Sequence, residues 1–500
     1  MTFSAENLRF KLGMKLKQLR KDRDLSLKEL AEKTNLSISY LSEIEAAKKY
    51  PKPEKLLGIA SALGVSFDEV VSTKVDAMLD PLAGILDSEV LREFPFEFFG
   101  IAPREVLHLV GQSPQEAAAL IRTLLEIARS YDMRVEQFLF AALRSYQKMH
   151  NNYFADIESS AATFAGDHDI EAGRVIPLNK LKSILKSEYD YIIDETSLIH
   201  YPELSRFRSI YVNSSPPRLI LNHKLFPSQK GFLMGRELGY HALNLKEHTL
   251  TSSWLKIESF EQVLNNFKAS YFSGALLMNQ DLMQQDLIKL FNRKRWNGKN
   301  LLSLMRKYDA TPEMFFYRLS QLVPKLFNLQ EMYYLRFNNK IGTNVYELTK
   351  ELNMSRVIAP HGIGLNEHYC RRWIGIRQLK NMSAKSNWDP DEVLVGAQRS
   401  YFIDAEAEFF VISMARPLIL TEGTNSSISI GFLINDALKE NIRFWNDPEI
   451  FRIDVNETCE RCRLTKTECA DRDAPPVIFK RQQRLQKQEE ALQKLLTDLK

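Results

Sequence analysis

Cysteine is scarce in this 500-residue chain, with three of its four residues crowded at Cys459, Cys462 and Cys469 and Cys370 far from them in sequence. So sparse a set excludes the disulfide framework on which small secreted domains rely, and in a reducing compartment it points to metal ligation or to free thiols. Long apolar runs are missing too. The most apolar strand-like stretch, Phe409 to Leu420, is broken by Arg416 and Pro417, whereas spanning a bilayer takes about 20 apolar residues. The opening MTFSAENLRFKLG holds no apolar segment between a basic start and a small-residue cleavage site, so no secretory signal is expected. A cytoplasmic protein without membrane contact is the expectation. Neither charge sign prevails, since 67 Lys and Arg face 63 Asp and Glu for a net +4. Compositional bias is absent as well: 44% hydrophobic and 26% charged residues are the proportions of a folded chain, which excludes disordered and fibrous classes.

What is present begins with length. Five hundred residues exceed the roughly 250 to 300 that one hydrophobic core serves, so two to four domains are expected. The first 75 residues carry 14 Lys and Arg against 10 Asp and Glu, a modest positive surplus that suits a nucleic-acid surface without diagnosing one. Helical periodicity runs from Phe10 through Met14, Leu16 and Leu19. After a turn, Ser26 stands as N-cap with Glu29 three residues on, the spacing of a capping box, and starts a second helix over Leu27, Leu30 and Ala31. Asn35-Leu36-Ser37 closes it and caps a third, in which Leu41 and Ile44 face inward and Ser37, Ser39, Tyr40, Ser42 and Glu43 remain outside. Pro51 and Pro53 open a fourth helix, Glu54 to Leu63, ended by Gly64 before a fifth from Phe67 to Val71. Two short helices joined by a tight turn, the second with small polar residues outward, fit the major groove, about 12 Å wide, where base edges are distinguishable.

The run LSLKELAEKTNLSISYLSEIEAAKKYPKPEKLLGIASALGVSFDEVV resembles the XRE (Cro/cI-type) helix-turn-helix family over its full domain. The resemblance implies a double-stranded DNA operator as partner, an Arg20–Glu45 pair of structural role, and base reading by Ile38, Ser39 and Glu43. It places Ser37, Tyr40, Lys48 and Lys49 at phosphates, with Ser26 and Lys28 on the same DNA-facing side. Ala46-Ala47 departs from the family's usual Gly after the third helix, so the turn there is expected to differ.

Residues 75–152 carry long helical periods, such as Ala117, Leu120, Ile121, Leu124, Leu125 and Ala128, and read as a helical connector. From about Ile176 the pattern turns mixed, reaching a strand-like RLILN at Arg218 to Asn222 and then a helix at GFLMGRELGYHAL. That helix resembles the active-site helix of ImmA/IrrE-type zinc peptidases, whose H-E-x-x-H presents two His to zinc and a Glu as general base. Here Arg236-Glu237-Leu238-Gly239-Tyr240 retains only the Glu, and neither Arg nor Tyr binds zinc as imidazole does. Glu261 stands where that family's next helix supplies a third ligand; an alternative register would gather His241, Glu237 and Glu261. A scaffold without peptidase activity is the expectation, with Glu237 paired to Arg236 or lying at the surface.

Residues from about 340 to 450 alternate strand-like runs with turns, which suggests an antiparallel sheet with helices able to hold a small ligand. CERCRLTKTECADRDAPP follows, a C-x-x-C with a third Cys seven residues later. Two thiolates at that spacing meet one metal, and a tetrahedral site wants four, so Cys370 in HYCRRW is the candidate fourth beside Cys459, Cys462 and Cys469, with His368 in reserve. Zinc and an iron-sulfur cluster are both open, as are unliganded thiols. Domain order, the C-R-R-W segment and the terminal Cys cluster with Arg472, Pro475 and Pro476 together resemble the short-chain fatty acyl-CoA regulators, which implies acyl-CoA as effector. Lys480 to Lys500 is a basic amphipathic helix with Leu485, Leu492 and Leu499 seven apart; packing on its own domain is expected, with dimerisation as the sharper alternative.

The expected fold is therefore multidomain: an all-α helix-turn-helix (8–74) and helical connector (75–152), an α+β degenerate zincin-like domain (153–338), an α+β sensor-like domain (339–479) and the terminal helix (480–500). The expected function is transcription regulation as a homodimer answering to a small-molecule effector. A metallopeptidase that cleaves a repressor and an antitoxin-like binding protein are the competing classes.

Overall fold

The computed structural model describes residues 9, 12, 13, 15–17, 19–45, 48–71, 135–251, 259–357, 364, 367–385 and 392–498. Most of the connector, the Ala46-Ala47 turn, Phe10, Met14 and Leu499 lie outside the described residues. The chain divides into two compact units, Met1–Tyr146 with Lys256–Phe260, and Gln147–Leu255 with Glu261–Lys500.

In the first unit, helix α1 is described at residues 12, 13, 15–17 and 19–21. It is followed by α2 (Leu27–Thr34), α3 (Ile38–Glu45), α4 (Pro53–Leu63) and α5 (Phe67–Val71). Local chemistry sets these bounds. Ser26 Oγ accepts from the Glu29 amide at 3.2 Å while the Glu29 carboxylate accepts from the Ser26 amide at 2.7 Å, the reciprocal box that the sequence announces. Asn35 closes α2 at φ 51°, and Gly64 closes α4 at φ 66°, the left-handed conformation that glycine adopts without a Cβ clash. The fourth helix starts one residue before its sequence-expected Glu54, because Pro53 is accommodated in the first turn, where its missing N–H costs nothing. Leu12, Leu16, Leu19, Leu30, Leu41, Ile44, Leu56, Ile59 and Leu63 form one core. Gly13 is required there, since a Cβ would meet the Ile44 carbonyl oxygen at 2.4 Å. Of the connector, residues 135–152 are described, and Val135–Met149 form α6, which runs across the division between the units at Tyr146.

The second unit holds α7 (Ala155–Asp167), α8 (Leu178–Tyr189) and a small sheet of β1 (Ile192–Asp194), β2 (Ser209–Val212) and β3 (Arg218–Leu221). Strand β3 is central, parallel to β1 and antiparallel to β2. Helices α9 (Pro227–Ala242), α10 (Phe260–Leu277), α11 (Gln280–Phe291), α12 (Gly298–Lys307) and α13 (Pro312–Leu326) follow. A bidentate ion pair between Arg318 and Glu158, at 2.6 and 2.8 Å, ties α13 to α7 in the interior, and the Tyr271 hydroxyl completes it by donating to Glu158 at 2.7 Å.

A six-stranded sheet then runs in the order β5-β4-β8-β7-β6-β9, from β4 (Met332–Lys340), β5 (Glu347–Asn353), β6 (Leu394–Phe402), β7 (Ala407–Pro417), β8 (Thr424–Leu433) and β9 (Arg452–Val455). It is antiparallel except for β9, which lies parallel to β6 at the edge. Helix α14 (Ile374–Ala384) packs on one face, where Ser413, Ser427 and Ser429 admit Gly375 so closely that a Cβ would lie 2.8 Å from Ser429 Oγ. Helix α15 (Asp436–Asn441) precedes β9.

Two expectations are corrected here. The boundary at 338/339 falls inside β4, and Leu287, Leu304, Phe315 and Leu322 share one core with Phe410, Ile412, Ile428 and Phe444, so helices and sheet on either side of it bury the same apolar surface. The terminal helix α16 (Val477–Asp498) has no buried residue; Leu485, Leu492 and Leu495 stay 49%, 54% and 53% exposed. Its leucine stripe therefore finds no packing partner in its own unit among the described residues. The architecture is a helical N-terminal region followed by mixed α/β regions with two sheets.

Candidate functional site

Helix α3 is positioned from below and from the side. Leu41 and Ile44 anchor its inner face in the core. At its end, Arg20 Nε donates to Glu45 Oε1 at 2.6 Å and Nη2 to Glu45 Oε2 at 2.8 Å, while Nη1 reaches the Leu25 carbonyl at 2.8 Å. One guanidinium thus ties α1, the turn before α2 and the end of α3 into one frame, and the carboxylate beside it raises the Arg20 pKa further.

The outer face carries the DNA candidates. Ile38 is 47% exposed, and Ser39, Ser42 and Lys48 are exposed beside it. Ser37 is engaged as N-cap, its Oγ accepting from the Tyr40 amide at 3.1 Å. Glu43 Oε2 lies 2.6 Å from Lys49 Nζ, which raises the Lys49 pKa through that hydrogen bond. Tyr40 receives Lys49 at 5.6 Å and Lys55 at 4.2 Å over its ring. Ser26 and Lys28 are exposed at the start of α2, where the Ser26 hydroxyl is spent on its cap. On this face Ile38 and Ser39 are exposed, Glu43 is engaged by Lys49, and Lys48, Lys49 and Lys55 supply positive charge. Lys55 is an addition that residue pattern did not mark, because only the fold brings α4 against Tyr40.

Helix α9 buries Glu237 completely. Its Oε1 accepts from Arg236 at 3.0 Å and its Oε2 lies 2.7 Å from His248 Nε2. Burial raises the Glu237 pKa, but the His248 hydrogen bond and the Arg236 charge outweigh it and hold the carboxyl below its ordinary range. Of the two alternatives for Glu237, pairing with Arg236 is found and a surface position is not. His248, which the sequence did not single out, is sandwiched between the Tyr211 and Tyr240 rings at 3.7 and 3.8 Å. His241 is turned instead to Tyr191 Oη at 3.2 Å and stacked on Tyr189, and Glu261 is exposed. Glu237, His241 and Glu261 therefore do not converge, which corrects the alternative register.

The four cysteines come together from distant sequence. Tyr369 bridges to Thr458, the Cys370 amide donates to Glu457 O at 3.0 Å, and the Cys459 amide to His368 O at 2.8 Å. Cys370, Cys459, Cys462 and Cys469 are all free thiols, buried to between 5% and 7% exposure. Burial pushes the Cys370 thiol up to about 12, with smaller contributions from Cys459 and Cys462. His368 Nδ1 is committed to Glu460 at 2.7 Å. Among the described residues, no group of three or more His, Cys, Asp or Glu is arranged at metal-holding distances. No helix among them is long and apolar enough to cross a membrane.

Comparison with known proteins centres on the first unit. A helix-turn-helix family model matches residues 16–70. The immunity repressor protein of Bacillus phage phi105 is 42% identical over 60 residues, 12% of this chain and 42% of that protein. The regulator DdrOP3 of Deinococcus deserti is 34% identical over 76 residues, 15% of this chain and 58% of its own length, so the match spans about half of either relative. The regulator SinR of Bacillus subtilis is 38% identical over 79 residues, 16% of this chain and 68% of that protein. A solved Mycobacterium tuberculosis transcriptional regulator aligns over 67% of this chain and 93% of its own at 17% identity, with a TM-score of 0.45. Through its N-terminal domain, with the Arg20–Glu45 frame and the exposed face of α3, the chain belongs to the DNA-binding helix-turn-helix transcriptional regulators.

Proposed function

We propose that the protein is a cytoplasmic, ligand-responsive regulator that binds a specific double-stranded operator through α3 as a homodimer, with its second unit serving to sense a small metabolite such as a short-chain acyl-CoA. The observation that carries the DNA reading is the bidentate Arg20–Glu45 pair, which holds α3 so that Ile38 and Ser39 stand clear of the core. The acyl-CoA reading draws its support from the order of the regions and from the C-R-R-W and Cys segments. Peptidase chemistry is not part of the proposal. Glu237 is fully buried and ion-paired by Arg236 and His248, so its carboxylate serves an internal charge pair and is not presented to a water as a general base.

A metal on the cysteines belongs to the same proposal. Four buried thiols fit the donor chemistry of zinc or an iron-sulfur cluster, while their present spacing does not match a coordination sphere.

The deciding experiment is a gel shift of the full chain on the DNA upstream of its own gene, with and without a panel of acyl-CoA thioesters. Replacing Ser39 and Glu43 together by Ala should cost about 1 to 3 kcal/mol of site discrimination per lost base contact. Unaltered site preference in the double variant would remove α3 from base reading; indifference to every thioester would remove acyl-CoA as effector and leave the DNA assignment standing.

A further inference from the structure

An open concavity of about 610 Å³ lies where α14, its preceding C-R-R-W segment, β9 and the cysteine-bearing tail meet. Its lining is Arg371, Arg372, Arg377, Lys380, Asn381, Arg452, Ile453, Asp454 and Asp471, with Ile453 the single apolar side chain. Five cations against two carboxylates is a local imbalance that a chain of net +4 does not require.

Two of the five are neutralised. Arg371 is ion-paired with Asp473, and Arg452 donates to Asp454 Oδ1 at 2.9 Å. The other three have no carboxylate partner among the described residues. Arg372 spends two donors on backbone carbonyls, Asp454 O at 3.2 Å and Glu468 O at 2.8 Å. Among the described residues, Arg377 meets the amide oxygen of Gln398 at 3.3 Å, and Lys380 acts on Asp473 through space. Neutral partners orient these groups without cancelling their charge. Gln398, itself buried, also donates to the Arg372 carbonyl at 3.2 Å, so one amide fixes the Arg377 side chain relative to the Arg372 backbone. Arg377 and Lys380 stand three apart on the exposed face of α14 and therefore point to the same side of it.

We propose that this concavity binds a small metabolite that carries a diphosphate, its phosphates held by Arg372, Arg377 and Lys380. Among the described residues, three cations without a carboxylate partner against the carboxylate of Asp471 leave a surplus that a polyanion satisfies and a neutral ligand does not. Guanidinium forks match phosphate oxygens two at a time, and Lys adds a mobile point charge. The volume lies within the roughly 300 to 1,000 Å³ of small-molecule pockets, which favours a free metabolite over a length of nucleic-acid backbone. Because Arg372 also holds the carbonyl beside Cys469, the ligand and the cysteine loop share one guanidinium. Binding stands apart from the effector reading; only its consequence at DNA rests on that reading.

The test is calorimetric titration of the full chain with ADP, repeated on an R377Q/K380Q variant, whose two exposed side chains form no ion pair among the described residues. Saturable one-to-one binding, weakened about tenfold or more in the variant with an unchanged melting temperature, is expected. Absence of saturable binding, equal affinity in the variant, or displacement of ADP by equimolar sulfate would overturn the proposal. Displacement by nonspecific duplex DNA would overturn it in favour of a backbone-contact surface. A gel shift with ADP read separately tests the consequence at DNA, so a silent gel shift with intact ADP binding tells against the effector reading alone.

Discussion

At the scale of single residues, the polar groups in the interior are what distinguish this chain from a generic core. Glu237 is the clearest case, since its carboxylate survives full burial only because Arg236 and His248 occupy both oxygens. A folded-state pKa below the ordinary value means that Glu237 stabilises the fold fully above about pH 4.5 and loses that contribution as pH falls through its folded value. Wild-type protein should therefore lose melting temperature as pH falls below about 4.5 more steeply than Glu237→Gln. At neutral pH the variant should be less stable by about 3 to 5 kcal/mol, because Arg236 is left buried beside a neutral amide. Melting curves followed by circular dichroism at stepped pH check both; parallel pH profiles would mean that the carboxylate is not held ionised as described. The carboxylate itself could be singled out from the R-E-L-G-Y segment, whereas His248 lies eleven residues on and carries no motif. Only the closure of the Tyr211 and Tyr240 rings around it brings it to Glu237.

Among elements, the helices of the first unit follow from short-range rules, and α16 does not. Ser26 with Glu29, Ser37, Pro53 and Gly64 terminate their helices through atoms within a turn of each end, so pattern and structure agree there to about a residue. For α16 the leucine spacing is equally legible, but what it packs against depends on distant surface, and its own unit supplies none among the described residues. A helix of basic and polar residues with a half-exposed leucine stripe is stabilised by pairing with a second copy. If the proposed homodimer forms through α16, Leu485→Lys with Leu492→Lys should convert it to a monomer in light scattering and weaken binding to an operator of two half-sites about one DNA turn apart. A wild-type monomer on and off DNA, or a dimer indifferent to both changes, would remove α16 from the assembly.

For the molecule as a whole, the tail is joined to the large sheet through the Cys370 neighbourhood, by the Tyr369–Thr458 bridge and the Cys459 amide to His368. A metal there would act as a staple between segments nearly ninety residues apart in sequence. If the proposed metal gathers these thiols, anaerobically purified protein should contain close to one equivalent of zinc, or iron with its visible absorption, and Cys462→Ser should lose both the metal and some thermal stability. Less than about a tenth of an equivalent in such preparations would establish free thiols instead.

By itself, the amino-acid sequence determined the helices of the DNA-binding domain, down to its capping box and its inward Leu41 and Ile44, because each depends on contacts within a turn or two, while the Arg20–Glu45 pair was implied by the family resemblance and is found in the structure. It also determined that a sheet follows, through period-two alternation. Tertiary structure alone decided that helices before residue 338 and strands after it share one core, and that β9 returns parallel to β6. It likewise decided that Arg372, Arg377 and Lys380 line one concavity without a carboxylate partner among the described residues. Periodicity tells which face of an element is apolar but not which distant face it meets, and a charge counted along the chain carries no information on whether its partner is a carboxylate, a carbonyl or nothing.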